Sequence, residues 1–423
     1  MSQTSEHPPP PPPADAPEGR EANSPTRAVV MLVLLGALTV WAIVSGSFPA
    51  LAFVLALMAS VMIHEAGHFL TAKWTGMKVT EFFLGFGPRL WSTRRGETEY
   101  GVKAIPAGGY VRIVGMSNVE KGIDPSEEHR TYRQQSYPKK LLVAVAGIVT
   151  HFVMAFLLLM ILWTVVGVPD PDQPTLEVGS ISRLETGPSP AQEAGFRVGD
   201  KIVAVDGQPL ERWADLPAYI QERPGRPIAF TVERDGERLT LTATPAPTNP
   251  EGEPVGFVGI GSTPAVERVN PVVAAGRSIE DVGRLTVASV EAIFNFFSPS
   301  ALSDYGDVLS GRGSDSDARP VSVVGVVRIA DQAAENGIMD FLLLFVGLNI
   351  FFAVFNAVPL PPFDGGHIAI ATYERLRSRR GVRYQADGQK LLPLTVAVFV
   401  LLVGLGLTSV WLDIVDPINN PFQ

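Results

Sequence analysis

The sequence predicts a polytopic α-helical membrane protein with an inserted β-rich domain. Three observations carry that expectation. Of 423 residues, 46% are hydrophobic and only 18% charged, which is too apolar for an ordinary soluble chain of this size. Uncharged runs long enough to cross a bilayer recur along the chain. Between two of them, residues 168–275 change character, with short β-patterned runs separated by turn signals.

Composition also excludes several classes. Net charge is −9 with no long basic stripe, so there is no footprint for nucleic acid. Cysteine is absent, so no disulfide staples the fold and no thiol serves as nucleophile or metal ligand. A metal site must draw on His, Asp, Glu or Asn, and the histidines are His7, His64, His68, His129, His151 and His367.

Residues 1–27 read as a disordered, proline-rich cytoplasmic tail, in which Pro8 to Pro13 favours extended polyproline II. Residues 28–46 carry no charge and are long enough to span. The tail before them is too long and too acidic for a signal-peptide n-region, so they read as an extra transmembrane helix. Ala50 to about Ala72 is the next span. The polar loop 76–138 is rich in glycine and β-formers. Its Lys78, Arg89, Arg94, Arg95, Lys103, Arg112 and Arg133, with Lys139 and Lys140 at its edge, mark the cytoplasmic side. Leu141 to Gly167 crosses back, so residues 50–167 form the first part of a membrane core.

In the inserted domain, centred on residues 175–262, strands are expected at Thr175–Val178, Lys201–Val205, Ile228–Val232 and Leu239–Thr242. Asp206-Gly207 and Asp235-Gly236 supply turns, and helical pieces fit Ser189–Ala194 and Ala214–Glu222. A small, partly open barrel is the natural architecture. Residues 276–340 form a linker with an amphipathic helix at Val282–Phe297, a mobile Gly/Ser/Asp-rich stretch at Ser303–Arg319 and an apolar run at Val321–Val327. Phe341–Leu360 and Leu391–Trp411 are the last spans, within a second core part at 341–412. Arg375, Arg377, Arg379, Arg380 and Arg383 lie between them and again mark cytoplasm. The expected topology has the N-terminus inside, the β-rich domain outside and the C-terminus outside.

The chemistry concentrates at His64-Glu65-Ala66-Gly67-His68, at the far end of the uncharged run Leu51–Ile63. Residues four apart share a helix face, so both imidazoles can reach one metal, and H-E-x-x-H is a zinc-hydrolase signature with the Glu as general base. A charged residue at membrane depth costs about 2.5–3.5 kcal/mol on insertion scales, more than packing alone explains. A catalytic zinc needs a third protein ligand and an open position. The segment Asn356–His367 supplies candidates: its prolines break a helix, which a membrane tolerates only where the break lines a site or cavity. Asp364, flanked by glycines, is the preferred ligand, and His367 competes with it. An oxyanion would need a further donor, for which Asn349, Asn356 and His151 are intramembrane candidates.

Together these motifs resemble the site-2 protease family, the M50-type zinc intramembrane metalloproteases, in the bacterial branch that carries a PDZ domain and releases sigma factors. The resemblance spans about residues 50–412. It rests on His64–His68, on Phe83-Leu84-Gly85-Phe86-Gly87-Pro88, on Pro106-Ala107-Gly108-Gly109-Tyr110-Val111, and on Asn356 through Gly366, which reads as N-x-x-P-x-P-x-x-D-G-G. It implies that His64, His68 and Asp364 bind Zn2+ and that Glu65 is the base. It implies that Glu81–Gly115, with Gly85, Gly87, Gly108 and Gly109, forms a membrane-associated β-loop able to pair with an unwound substrate strand. The run Ala191–Ile202, with Gly195, Gly199 and Asp200, resembles a PDZ domain, so the inserted domain is expected to be PDZ-like and extracytoplasmic.

The implied substrate is a single-span membrane protein of the anti-sigma factor type, already shortened by an upstream site-1 protease. The implied location is the plasma (inner) membrane of a bacterium. Two features depart from the family. Ala146–Phe152 reads A-G-I-V-T-H-F, with His151 where an Asn is usual, and the tail and first span are additional. Two rivals remain at this level. One is a catalytically inactive scaffold that binds partners through its PDZ-like domain, which would have no need of a buried Glu65. The other is a zinc transporter, which would want polar residues in more of its spans.

Overall fold

The computed structural model describes residues 25–116, 120, 122–183, 187–250, 252–312, 319–378 and 383–417. Most of the proline-rich tail, Arg379 and Arg380 lie outside them. The described chain falls into two compact units, one made of the residues up to Met160 together with those from Ala275 onward, the other of Ile161–Ala274.

The first unit opens with helix α1 (Pro25–Ser45), of which Val33, Val40, Trp41 and Val44 are exposed apolar side chains. Helix α2 (Phe48–Trp74) follows after a turn at Gly46, with Pro49 in its first turn. It stops at Thr75, and Gly76 with φ +83° turns the chain away. Strands β1 (Val79–Arg95) and β2 (Thr98–Ile113) are long and bent, and each pairs with the other twice. Glu81–Leu84 lies between Glu99–Val102 on one side and Gly109–Arg112 on the other, while Arg89–Arg95 pairs with Thr98–Lys103. Gly109–Ile113 is therefore an edge, paired on one side only among the described residues. An ionic knot ties this sheet to the end of α2: Glu97 lies 2.6 Å from Lys73 and 2.8 Å from Arg130. The Arg130 hydrogen bond, outweighing partial burial and aided by Lys73, brings the Glu97 carboxyl down to about 2. Helix α3 (Tyr137–Ile161) continues as a π-helical turn to Val166.

The second unit is a six-stranded sheet in the order β7-β6-β4-β3-β8, with a short β5 on β4. Its strands are β3 (Val168–Ile181), β4 (Lys201–Val205), β5 (Gln208–Pro209), β6 (Ile228–Arg234), β7 (Glu237–Ala243) and β8 (Ile260–Glu267). Asp206-Gly207 and Asp235-Gly236 have positive φ at both positions, as a two-residue hairpin turn of type I′ requires. Helix α4 (Pro190–Ala194) carries a capping box between Ser189 and Gln192 and ends on Gly195 in the left-handed conformation. With α5 (Asp215–Gln221) it closes a core of Val178, Phe196, Ile202, Leu216, Phe230 and Val232. The sheet is open rather than a closed barrel.

The chain then forms α6 (Pro271–Phe296) and α7 (Pro299–Leu309), bent by 67° at their junction. The stretch expected to be mobile, Ser303–Arg319, is helical as far as Leu309, and its residues 313–318 lie outside the described residues. Ser298 caps α7 and Pro299 sits in its first turn, and Tyr305 and Val308 bury against Leu412. Helices α8 (Val323–Asn336), α9 (Ile338–Asn356), α10 (Asp364–Arg377) and α11 (Gly388–Val415) complete the unit. Among the described residues four single helices are long and apolar enough to cross a membrane, α2, α3 with its extension to Val166, α9 and α11, and the bent pair α6–α7 passes the same test as one broken span. Large exposed apolar side chains crowd them, among them Leu157, Val165, Phe399 and Leu407, as lipid-facing surfaces require. The chain has the architecture of a multi-pass membrane protein with a β domain.

Candidate metal centre and active site

His64 and His68 stand one turn apart on α2, and their Nε2 atoms are 3.2 Å apart. Asp364 begins α10, and its Oδ2 lies 3.4 Å from His64 Nε2 and 3.2 Å from His68 Nε2. All three side chains are buried. Ligands held tetrahedrally at zinc's usual bond lengths stand about 3.3 Å apart, which is the edge of this triangle. The hydrogen bonding points the same way. His68 Nδ1 lies 2.7 Å from the Val143 carbonyl, which only accepts, so Nδ1 carries a proton and Nε2 is the atom turned toward Asp364. At 3.2 Å, His68 Nε2 and the Asp364 carboxylate oxygen are held together by a proton or by a metal ion that both ligate. The donor set of two imidazoles and one carboxylate therefore fits a catalytic zinc with an open position.

Two glycines let the backbone reach this centre. A Cβ on Gly147 of α3 would lie 2.4 Å from His68 Nε2 and 2.5 Å from His64 Cε1. A Cβ on Gly109 of β2 would lie 2.7 Å from Met62 Sδ and 3.4 Å from Glu65 Cγ. The edge segment Gly109–Ile113 thus runs against α2 beside Glu65. Gly85 and Gly87 lie where β1 bends, and Gly108 just before the edge segment. On the sheet, Tyr110 donates to Glu81, which also takes Arg112 at 3.2 Å. Burial pushes Glu81 up, but these two hydrogen bonds win and hold its carboxyl below the usual range.

Asp364 is delivered by the connection from Ala357 to Phe363, where Pro359, Pro361 and Pro362 replace a continuing helix. Gly365 and Gly366 pack against it, since a Cβ on Gly365 would lie 2.3 Å from the carbonyl oxygens of Ala357 and Val358. His367 is not part of the ligand triangle, and its ring stands against Tyr132 with centroids 6.3 Å apart. His151 and Asn349 come together beside His64, joined by a bond of 3.0 Å. Asn356 is the last residue of α9 and is not one of the grouped ligands. Gly195, Gly199 and Asp200 belong to the second unit. There Gly195 ends α4, Gly199 N–H bonds Val178 and Asp200 pairs with Arg234 at 2.6 Å.

Sequence reasoning missed Gly67 and Gly147 as packing residues, although glycine within a span is a usual sign of close helix approach. A Cβ on Gly67 would lie 2.9 Å from Thr150 Cγ2 and 3.0 Å from the Ala146 carbonyl. It also missed the buried pair Lys140–Glu374, 2.7 Å apart, which joins α3 to α10.

The sequence pattern of Peptidase family M50 matches residues 52–403. The chain belongs to that family. The zinc metalloprotease Rip1 of Mycobacterium tuberculosis is 37% identical over 401 residues, 87% of this chain and 97% of that protein. Rip1 of Mycolicibacterium smegmatis is 34% identical over 399 residues. A putative zinc metalloprotease of Rhizobium meliloti is 28% identical over 355 residues, 79% of this chain and 88% of that protein. This M50 protein is therefore a site-2-type zinc metalloprotease, a multi-pass membrane enzyme of a family that hydrolyses peptide bonds within the bilayer. When bound, zinc brings the pKa of a coordinated water to about 7 and polarises a carbonyl. Beside the His64, His68 and Asp364 group, the M50 chain offers the Glu65 carboxylate on α2 and the edge Gly109–Ile113, paired on one side only among the described residues.

Proposed function

We propose that this enzyme cuts the transmembrane segment of single-span regulators such as anti-sigma factors, after an upstream site-1 protease has shortened them. His64, His68 and Asp364 hold the zinc, and Glu65 takes a proton from the attacking water and returns one to the leaving amine. The observation that carries this reading is the closed triangle of His64, His68 and Asp364 atoms with Glu65 on the same helix. A helix hides its peptide bonds and must unwind before hydrolysis. The edge segment Gly109–Ile113 is suited to hold the unwound strand by β-addition. The bends at Gly85, Gly87 and Gly108 shape that edge.

The second unit reads as a PDZ-like domain, supported by its open sheet, its two short helices and the Gly195–Asp200 turn. Its place outside the cytoplasm, with the N-terminus inside and α1 as an additional span, follows from the basic residues of 76–138 and 375–383. Coexpression of a tagged, pre-shortened single-span substrate with wild type and with Glu65→Gln tests the whole reading. Cleavage inside the span by wild type alone supports it. Equal substrate loss with both proteins, or binding without cleavage by wild type, sinks it and favours a scaffold.

A further inference from the structure

Ser60 on α2, His151 on α3 and Asn349 on α9 form a buried polar cluster within the apolar spans. Asn349 Nδ2 donates to the Phe345 carbonyl at 2.9 Å. A carbonyl only accepts, so this bond fixes which end of the amide is which. Asn349 Oδ1 then faces the other two residues, taking the Ser60 hydroxyl at 2.7 Å and lying 3.0 Å from His151 Nδ1. An amide oxygen has no proton to give, so the proton of that bond sits on His151 Nδ1. In the neutral ring, Nε2 is left as a bare lone pair. His151 follows Gly147 by one turn of α3, so the two share the face turned toward the zinc ligands. Its ring centroid lies 4.9 Å from that of His64.

That polarity does not suit the oxyanion donor expected of this position from sequence. We propose that His151 is instead a hydrogen-bond acceptor in the active site. Asn349 holds it in the Nδ1–H tautomer, and Nε2 receives a backbone N–H of the bound peptide. This rests on the protease reading of the same site. An unwound strand offers N–H groups as well as carbonyls. An acceptor on α3 thus recognises donors that the zinc and the strand edge do not engage. Asn349 acts only through His151 and is a positioning residue.

The test uses full-length, zinc-loaded protein in nanodiscs with 15N-labelled histidine. His151→Asn identifies the His151 resonances. The expected wild-type spectrum has a protonated Nδ1 and an unprotonated Nε2 on that ring. Asn349→Leu, which removes the acceptor, moves the proton toward Nε2 and lowers kcat about tenfold, with zinc content unchanged. Asn349→Asp, which keeps an acceptor for Nδ1–H, restores the tautomer and most of the turnover. Ser60→Ala leaves the tautomer as in wild type. A wild-type ring protonated at Nε2, or an Asn349→Leu protein whose tautomer moves while kcat does not, overturns the proposal. A wild type without zinc or turnover removes the protease reading itself, whereas a wrong tautomer in an active enzyme removes this inference alone.

Discussion

Gly147 lies so close to His68 that a single added methyl would stand 2.4 Å from its Nε2, the atom turned toward Asp364. The backbone of α3 therefore forms one wall of the metal centre, and the Val143 carbonyl, one turn earlier, fixes the His68 ring. Gly147→Ala should displace both imidazoles and lower zinc affinity by about 10–100-fold, the usual cost of disturbing groups that orient a ligand. Chelator competition on the purified protein measures it. Unchanged affinity would mean that α3 gives way and does not support the ligands.

Glu65 lies between the two histidines in sequence but outside the ligand triangle. Glu65→Gln keeps size and hydrogen bonding and removes the base. Zinc content should stay at the wild-type level while turnover falls about 10²–10⁴-fold. A Glu65→Gln protein that loses its metal would assign Glu65 to the zinc instead.

The parts of this site that sequence conveys are those set by local spacing. His64 and His68 are legible because four residues make about one helical turn. Asp364 is legible because Pro359, Pro361 and Pro362 cannot continue a span. Gly147 is not legible as part of the site, since its constraint comes from two side chains on another helix. The β1–β2 pair is only half legible. Glycines and β-formers mark the loop, but its double pairing depends on bends at Gly85–Gly87 and on packing against Met62. In α7, the Gly/Ser/Asp-rich composition gives little sign of the helix that the Ser298 cap and the contact of Tyr305 and Val308 with Leu412 support.

Lys140 and Glu374 are both buried and 2.7 Å apart, and Glu374 also takes the Ala386 N–H at 2.9 Å. Removing Lys140 takes away the buried cation that Glu374 faces at 2.7 Å. Lys140→Met should destabilise the folded enzyme by about 3–5 kcal/mol, and Lys140→Met with Glu374→Leu by less than either single change. Thermal inactivation of the three variants in one detergent compares them. A double variant worse than both singles would contradict the pairing.

In the β domain, Asp200 is fully buried and held by Arg234 and the Arg197 N–H. Burial raises its carboxyl, but these partners outweigh it and the net shift is downward. A depressed folded pKa gives stability that is full above the unfolded value of about 3.9 and is lost as pH falls through the lower folded value. Protection of the Ile202 and Val232 amides, taken relative to their intrinsic exchange rates, should therefore hold at neutral pH and fall below about pH 4. Asp200→Asn should be less stable at neutral pH and lose this acid dependence. A variant with the wild-type acid profile would assign that dependence to another group.

The central claim is that His64, His68 and Asp364 hold one zinc. Metal analysis of detergent-purified wild type, His64→Ala and Asp364→Ala, prepared without chelator at neutral pH, tests it most directly. The account predicts about one zinc per wild-type chain and none in either variant. Folded wild type without metal would contradict it outright, and zinc retained in Asp364→Ala would move the third ligand elsewhere, with His367 the nearest candidate in sequence.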